Sequence, residues 1–245
     1  MSYKLKIFET PEEVAKAFAE DIKETVEKNI SEKGECNISL SGGSTPKLLF
    51  DILAKEYSDK INWKNINFFW GDERCVPPND NESNYGMTKK HLFDFINLPE
   101  ENVYRVKGED EPEKEALRYG ELIKTKIKTG IEVNNFPVFD LMILGMGDDG
   151  HTASIFPDII ELWDSQNICE VAEHPVTNQK RITVTGGIIN NSKKIVFLIT
   201  GKNKNYVLKK IINKEEDYLK YPAALVQPVS GELFFYIDKN AAINL

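Results

Sequence analysis

Residues 139–157 (FDLMILGMGDDGHTASIFP) constrain the fold of this chain more than any other stretch. The stretch opens as a near-continuous apolar run of six residues, which is typical of a strand buried on both faces. Three glycines follow and then a histidine, in the order Gly145, Gly147, Gly150 and His151. This order is typical of the carboxyl end of a strand in an open α/β sheet, where ligands bind. We therefore expect His151 to be a catalytic base.

Segments with strand and helix patterns alternate along the rest of the chain. The predicted strands are 36–41, 66–70, 139–144, 181–185, 194–200 and 233–237. The predicted helices are 11–33, 46–53, 84–95, 112–128 and 205–212. Glycines just beyond the strand ends favour an α/β fold, with a mostly parallel sheet covered by helices on both faces. With no repeat or linker in the sequence, we expect one domain over residues 1–245.

The composition restricts the classes of partner. A net charge of −8 repels nucleic acid and anionic lipid, so a phosphorylated substrate needs a local positive site. The three cysteines form no CxxC pair, which argues against a zinc site or a disulfide framework. No apolar stretch approaches the length of a membrane span. We expect a cytoplasmic protein that binds neither nucleic acid nor membranes.

A glycine-rich turn joins the strand at 36–41 to the next helix, and its residues are Ser41, Gly42, Gly43, Ser44 and Thr45. Glycines let backbone N–H groups approach an anion, the hydroxyls donate further hydrogen bonds, and the helix dipole adds attraction. The spacing matches neither a Walker A loop nor GxGxxG, which disfavours a nucleotide. The alternative is a simple turn with Ser44 or Thr45 as the helix N-cap.

Cationic side chains follow other predicted strands. Asp72, Glu73 and Arg74 come directly after the apolar strand at 66–70. An arginine there can bind a phosphate or an oxyanion through two parallel hydrogen bonds, although a solvated surface turn would look the same. Arg181 opens one further strand, and Lys204 follows the end of another. Because strand ends converge on one crevice, we expect the groups at 41–45, 71–74, 145–151 and 200–204 to surround a small phosphorylated metabolite.

Asp149 stands two residues before His151 and could orient the imidazole as a general base. The alternative is a histidine that caps a helix beginning near Thr152. His91 and His174 receive no predicted role. The chain has no HxxxH or HxxE spacing with a third ligand, so we expect no metal.

Together these motifs resemble the 6-phosphogluconolactonase family over nearly the whole chain. The matching segments are 40–46 (LSGGSTP), 70–77 (WGDERCVP), 83–87 (SNYGM), 144–157 (LGMGDDGHTASIFP), 181–183 (RIT), 200–204 (TGKNK) and 222–228 (PAALVQP). The resemblance implies a Rossmann-like fold and hydrolysis of 6-phospho-D-glucono-1,5-lactone, without a cofactor or a metal. It also implies a place in the oxidative pentose phosphate pathway, with possible functional coupling to the preceding dehydrogenase.

The resemblance also implies roles for individual residues. His151, oriented by Asp149, would activate water, and Arg74 would stabilise the oxyanion. Asp72 is placed with these catalytic residues without a defined role. The substrate-binding set would comprise Ser41, Gly42, Gly43, Ser44, Thr45, Gly147, Arg181 and Lys204. Which cation faces the phosphate and which the oxyanion stays open.

Two other functions fit part of the pattern. Glucosamine-6-phosphate deaminases share the fold and a similar glycine–Asp–Gly–His run, but they follow it with a carboxylate that assists the imidazole. Residues 152–157 (TASIFP) contain no carboxylate. A phosphosugar sensor without catalysis is disfavoured, because His151, Asp149 and Arg74 are all present.

Overall fold

The computed structural model describes residues 3–127 and 136–245. The strands are β1 (Tyr3–Phe8), β2 (Cys36–Leu40), β3 (Ile66–Trp70), β4 (Asp72–Arg74), β5 (Leu141–Leu144), β6 (Cys169–Glu173), β7 (Lys180–Val184), β8 (Lys194–Ile199) and β9 (Glu232–Asp238). The helices are α1 (Pro11–Lys33), α2 (Ser44–Glu56), α3 (Asn84–His91), α4 (Pro112–Lys126), α5 (Gly186–Asn190) and α6 (Asn205–Asn213). Within these residues, six parallel strands form a sheet in the order β1-β9-β8-β5-β2-β3. The other three form an antiparallel sheet in the order β4-β7-β6.

Helices cover both faces of the six-stranded sheet. Successive strand residues point to opposite faces, so Phe68 packs in one apolar cluster and Phe69 in the other. Helices α1 and α2 complete the cluster around Phe68, whereas α4, α5 and α6 complete the one around Phe69. The predicted α/β class, with a mostly parallel and doubly covered sheet, is confirmed.

Several predicted boundaries shift. The strand expected at 139–144 begins at Leu141, and the helix expected at 46–53 runs from Ser44 to Glu56. The helix expected at 84–95 ends at His91 and is followed by a separate 3₁₀ turn. The helix expected at 112–128 ends at Lys126, and Lys128 lies outside the described residues.

The sequence patterns did not identify the antiparallel sheet. Residues 72–74, expected to be a turn, form strand β4, which pairs with β7. The predicted strand at 181–185 is this β7 and is not part of the parallel sheet. Strands β1 and β6 were not predicted. Residues 3–7 of β1 do alternate between apolar and charged side chains, whereas in the five residues of β6 the glutamates Glu170 and Glu173 break any such alternation.

The strand order reverses beside β2. The chain places β3 on one side of β2 and then returns to place β5 on the other side. From β5 the sheet grows outward through β8 and β9. The carboxyl ends of β2 and β5 therefore flank a topological switch point, where open α/β sheets bind their ligands.

Candidate active site

Turns from three neighbouring strands meet at the switch point. The Ser41–Thr45 turn follows β2, and the Gly145–His151 turn follows β5. A β-carbon on Gly145 would lie 3.8 Å from the Ser41 hydroxyl oxygen, so the two turns run side by side. Thr200, at the end of β8, shares a 2.7 Å hydrogen bond with Thr45 through their hydroxyl oxygens. The expected convergence of these strand ends is present.

The imidazole of His151 is held by Asp149. Its Nδ1 lies 2.7 Å from Oδ1 of Asp149, and the same oxygen accepts the backbone N–H of His151 at 3.1 Å. Burial raises the pKa of the Asp149 carboxyl, but the hydrogen bonds and charge of His151 outweigh burial and lower that pKa below its ordinary value of 3.8. An ionised carboxylate only accepts, so Nδ1 carries the proton and Nε2 of the neutral ring is an acceptor.

Two glycines make this geometry possible. A β-carbon on Gly147 would lie 2.2 Å from Nδ1 of His151, a separation at which atoms overlap. The backbone N–H of Gly147 also donates to the carbonyl of His151 at 2.9 Å and closes the turn. Gly150 has a φ of 83°, a conformation that favours glycine, and packs against the ring of Tyr221. Gly147 therefore makes room for the His–Asp pair, and substrate binding by Gly147 stays a prediction.

The segment after His151 is not a helix. The Thr152 hydroxyl donates to the carbonyl of Gly145 at 2.9 Å, and Ala153 has a positive φ of 48°. Ser154 is buried, and its hydroxyl donates to Oδ2 of Asp72 at 2.7 Å. The alternative of a helix-capping histidine is therefore wrong, since this segment is tied to the antiparallel sheet.

Two arginines face each other across that sheet. Arg74 on β4 is directly opposite Arg181 on β7. Like charges in this arrangement repel each other. Burial lowers the pKa of Arg181, and the charge of Arg74 lowers it further, while Asp72 opposes both effects. Among the described residues, the buried Nε of each arginine has no hydrogen-bond partner.

Arg181 and His151 contact the same aromatic ring, that of Phe156. The guanidinium carbon of Arg181 lies 5.5 Å from the centre of the Phe156 ring, and that ring lies 4.5 Å from the centre of the His151 ring. Nη1 of Arg181 donates to the Ser154 hydroxyl at 3.4 Å. The strand pairing of β7 thus places a cation against the same aromatic ring as His151.

The Ser41–Thr45 turn leads into α2 through Gly43, which has a φ of 106° and is the N-cap without a side-chain hydrogen bond. The alternative of Ser44 or Thr45 as the N-cap is therefore wrong. Beside the turn lies a groove of about 570 Å³, whose lining includes Gly43, Ser44, Lys47 and Arg74. The first N–H groups of a helix lack partners within it, so this end of α2 presents donors to an anion.

Lys204 lies on the 3₁₀ turn that follows β8, with its Nζ 3.9 Å from a carboxylate oxygen of Asp148. It therefore faces the turn that carries His151. Among residues 3–127 and 136–245, no group of three or more His, Cys, Asp or Glu side chains is arranged to hold a metal ion. None of the helices described there is long and apolar enough to cross a membrane.

Sequence reasoning missed some residues at the site. Ser154 and Phe156 stood in a matching segment, but only their contacts with β7 give them a position beside Arg181. His174 received no role, yet its ring lies 5.1 Å from Phe156. Burial lowers the pKa of His174, and the charges of Arg181 and His151 act in the same direction. No local pattern could have indicated this contact, since it depends on the β6–β7 pairing.

Comparison with known proteins places the chain in a family. Residues 9–235 match the family described as glucosamine-6-phosphate isomerases/6-phosphogluconolactonase. The chain belongs to this family. A protein of Haemophilus influenzae named 6-phosphogluconolactonase is 48% identical over 210 residues, which cover 85% of this chain and 87% of that protein. A solved structure of 6-phosphogluconolactonase from Trypanosoma brucei superposes with a TM-score of 0.88 at 28% identity, covering 100% and 99% of the two chains.

The isomerase/6-phosphogluconolactonase family combines two chemistries on one fold. A structure described as a monomeric glucosamine-6-phosphate deaminase is similar in fold, with a TM-score of 0.81 at 22% identity over 98% and 99% of the two chains. The fold alone therefore does not distinguish a lactonase from a deaminase. The side chains around His151 must do so.

Proposed function

We propose that this chain hydrolyses 6-phospho-D-glucono-1,5-lactone to 6-phospho-D-gluconate, with His151 activating the water. The name of the Haemophilus influenzae relative, at 48% identity, supports the reaction. The observation that carries the proposal is the 2.7 Å contact between Nδ1 of His151 and Asp149. That contact leaves Nε2 able to accept a proton.

In the proposed reaction, Nε2 of His151 takes a proton from water as the water oxygen attacks the lactone carbonyl carbon. The carbonyl π bond opens, and its electrons form an oxyanion stabilised by a preorganised cation. When the tetrahedral intermediate collapses, the bond from the carbonyl carbon to the ring oxygen breaks. His151 then returns its proton to that oxygen, which becomes the free hydroxyl group of the product.

We assign the two arginines by their neighbours. We assign Arg74 to the phosphate, together with the N-terminus of α2, because Arg74 lines the groove beside Gly43 and Ser44. We assign Arg181 to the oxyanion, because it contacts the same Phe156 ring as His151. This reverses the roles that the family resemblance implied. Lys204 would bind the remaining part of the substrate.

The contacts of the 152–157 segment favour the lactonase over the deaminase. Its two polar side chains near the imidazole are hydroxyls, and both are engaged elsewhere, Thr152 with Gly145 and Ser154 with Asp72. This segment thus offers His151 no carboxylate partner. We further propose that the reaction needs no metal, takes place in the cytoplasm, and follows the dehydrogenase that forms the lactone.

The experiment is to add freshly generated lactone to the protein and to record acid release in weak buffer. We expect release faster than spontaneous hydrolysis in the presence of a chelator. Ammonia release from glucosamine 6-phosphate would instead indicate the deaminase. Lactone binding with no acceleration would indicate a sensor and would contradict the proposal.

A further inference from the structure

Glu73 is a buried carboxylate between Asp72 and Arg74, with 2% of its surface exposed. It accepts four hydrogen bonds at 2.7–3.2 Å, and the donors are the backbone N–H groups of Arg74, Asn84 and Tyr85 and the hydroxyl of Ser83. Burial raises the pKa of the Glu73 carboxyl, and the backbone hydrogen bonds oppose that rise. These four bonds occupy both oxygens of the Glu73 carboxylate with protein donors.

Arg74 is held by hydrogen bonds at both its backbone and its guanidinium group. Its backbone N–H donates to Glu73 at 2.9 Å, and its Nη1 donates to the carbonyl of Glu82 at 2.6 Å. Glu82 directly precedes Ser83, which Glu73 holds through the hydroxyl. Glu73 therefore holds both the backbone of Arg74 and the segment at residues 82–83 that binds its guanidinium group.

Glu73 is also connected, through Asn84, to the glycine turn after β2. Glu73 caps the start of α3 by accepting from Asn84 at 2.7 Å. The side chain of Asn84 packs so closely on Gly42 that a β-carbon there would lie 1.8 Å from its Oδ1. Its Nδ2 donates to the carbonyl of Asp72 at 2.9 Å. Asn84 thus links the glycine turn to β4.

We propose that Glu73 is a positioning residue that sets Arg74 and the Gly42–Thr45 turn at the separation required by the phosphate of the substrate. This inference rests on the proposed function. It assigns Glu73 no contact with the reacting atoms. Its effect should therefore depend on whether the substrate carries a phosphate.

The test compares two substrates in the variant Glu73→Gln, which keeps the size of the side chain but turns an N–H₂ group toward backbone N–H donors. We expect KM for the phosphorylated lactone to rise about tenfold or more, because small displacements of binding groups are costly. The rate of hydrolysis of unphosphorylated glucono-1,5-lactone above its spontaneous rate should stay unchanged. Equal losses on both substrates, or an unchanged KM, would overturn the inference.

Glu115→Gln is the matched control. Glu115 is also 2% exposed and also accepts a backbone N–H, that of Lys107 at 2.7 Å, but it pairs with Arg118 on α4. We expect this variant to unfold at lower denaturant concentration and to keep the KM ratio of the two substrates. If Glu73→Gln does not fold, Ser83→Ala removes a single donor and should raise the same KM by a smaller factor.

A double-mutant cycle decides whether Glu73 acts through Arg74. If it does, Glu73→Gln should raise KM by a smaller factor in Arg74→Ala than in the wild-type protein, because the two effects are not independent. Additive effects would overturn the positioning of Arg74 by Glu73. An Arg74→Ala variant with unchanged KM would overturn it together with the phosphate assignment, whereas a wild-type protein without lactone hydrolysis would refute the proposed function itself.

Discussion

Charged side chains lie at both ends of β5 and of its neighbours, and their hydrogen-bond partners differ. At the amino end, the fully buried carboxylate of Asp140 contacts Lys33 at 2.7 Å and Lys193 at 3.1 Å, and accepts the backbone N–H of Asn37 at 2.8 Å. At the carboxyl end, Arg74 and Arg181 face each other, and among the described residues the Nε of each has no partner.

The difference indicates which charges serve the fold. A buried charge with protein partners stabilises the arrangement that provides them, as Asp140 does for α1, β2 and β8. Two like charges at directly paired positions repel each other, and under the proposed function the negative charge of the substrate would offset that repulsion. Substitutions at the amino end should therefore affect stability, whereas those at the carboxyl end should affect activity.

The largest expected effect is at the carboxyl end. His151→Ala should lower kcat/KM by about 10²–10⁴-fold, the usual contribution of a general base. Since His151 is partly exposed, the midpoint of urea unfolding should stay close to that of the wild-type protein. Acid release and urea unfolding measured on the same sample test both statements. Full activity in a folded variant would exclude His151 as the base.

Much of this site could be predicted from the sequence because its turns are local. Glycine spacing after β5 and the Asp149–His151 interval are properties of a few consecutive residues, and the pair is present at 2.7 Å. The alternation of strands and helices gave the sheet class in the same way. The prediction that these residues act as base and orienting carboxylate is untested.

The arginine pair could not be predicted, since it depends on pairing between strands distant in sequence. Residues 72–74 and 181 are separated by more than a hundred positions, and β4 is only three residues long. The contact of Glu73 with the start of α3 could not be predicted either, because its donors are backbone N–H groups. Every residue except proline has a backbone N–H group, so the residue types do not show which of these groups will bind a carboxylate.

The second largest expected effect is on the free energy of unfolding, and it differs between the amino and carboxyl ends of the strands. Asp140→Asn should lower the free energy of unfolding by about 1–3 kcal/mol, because it removes a charged partner from a buried network. Arg74→Ala should change it by less than about 1 kcal/mol, because the loss of one hydrogen bond is offset by relief of repulsion with Arg181.

Urea titration of both variants, beside KM for the lactone, measures this comparison. Asp140→Asn should keep the wild-type KM at temperatures where it is folded. A larger loss of stability in Arg74→Ala than in Asp140→Asn would contradict the distinction between the two ends.

The smallest effect concerns Asp149, which lies at the carboxyl end but has a protein partner in His151. Its pKa in the folded protein is below the ordinary value of 3.8, so its ionised form stabilises the fold above about pH 4. That contribution is lost as the pH falls through the folded-state pKa. The wild-type protein should therefore exceed Asp149→Asn in unfolding free energy by less than about 1 kcal/mol near pH 5, and by less still near pH 3. Urea unfolding at both pH values measures the difference, and an advantage that grows on acidification would show that the carboxylate belongs with the unsatisfied charges instead.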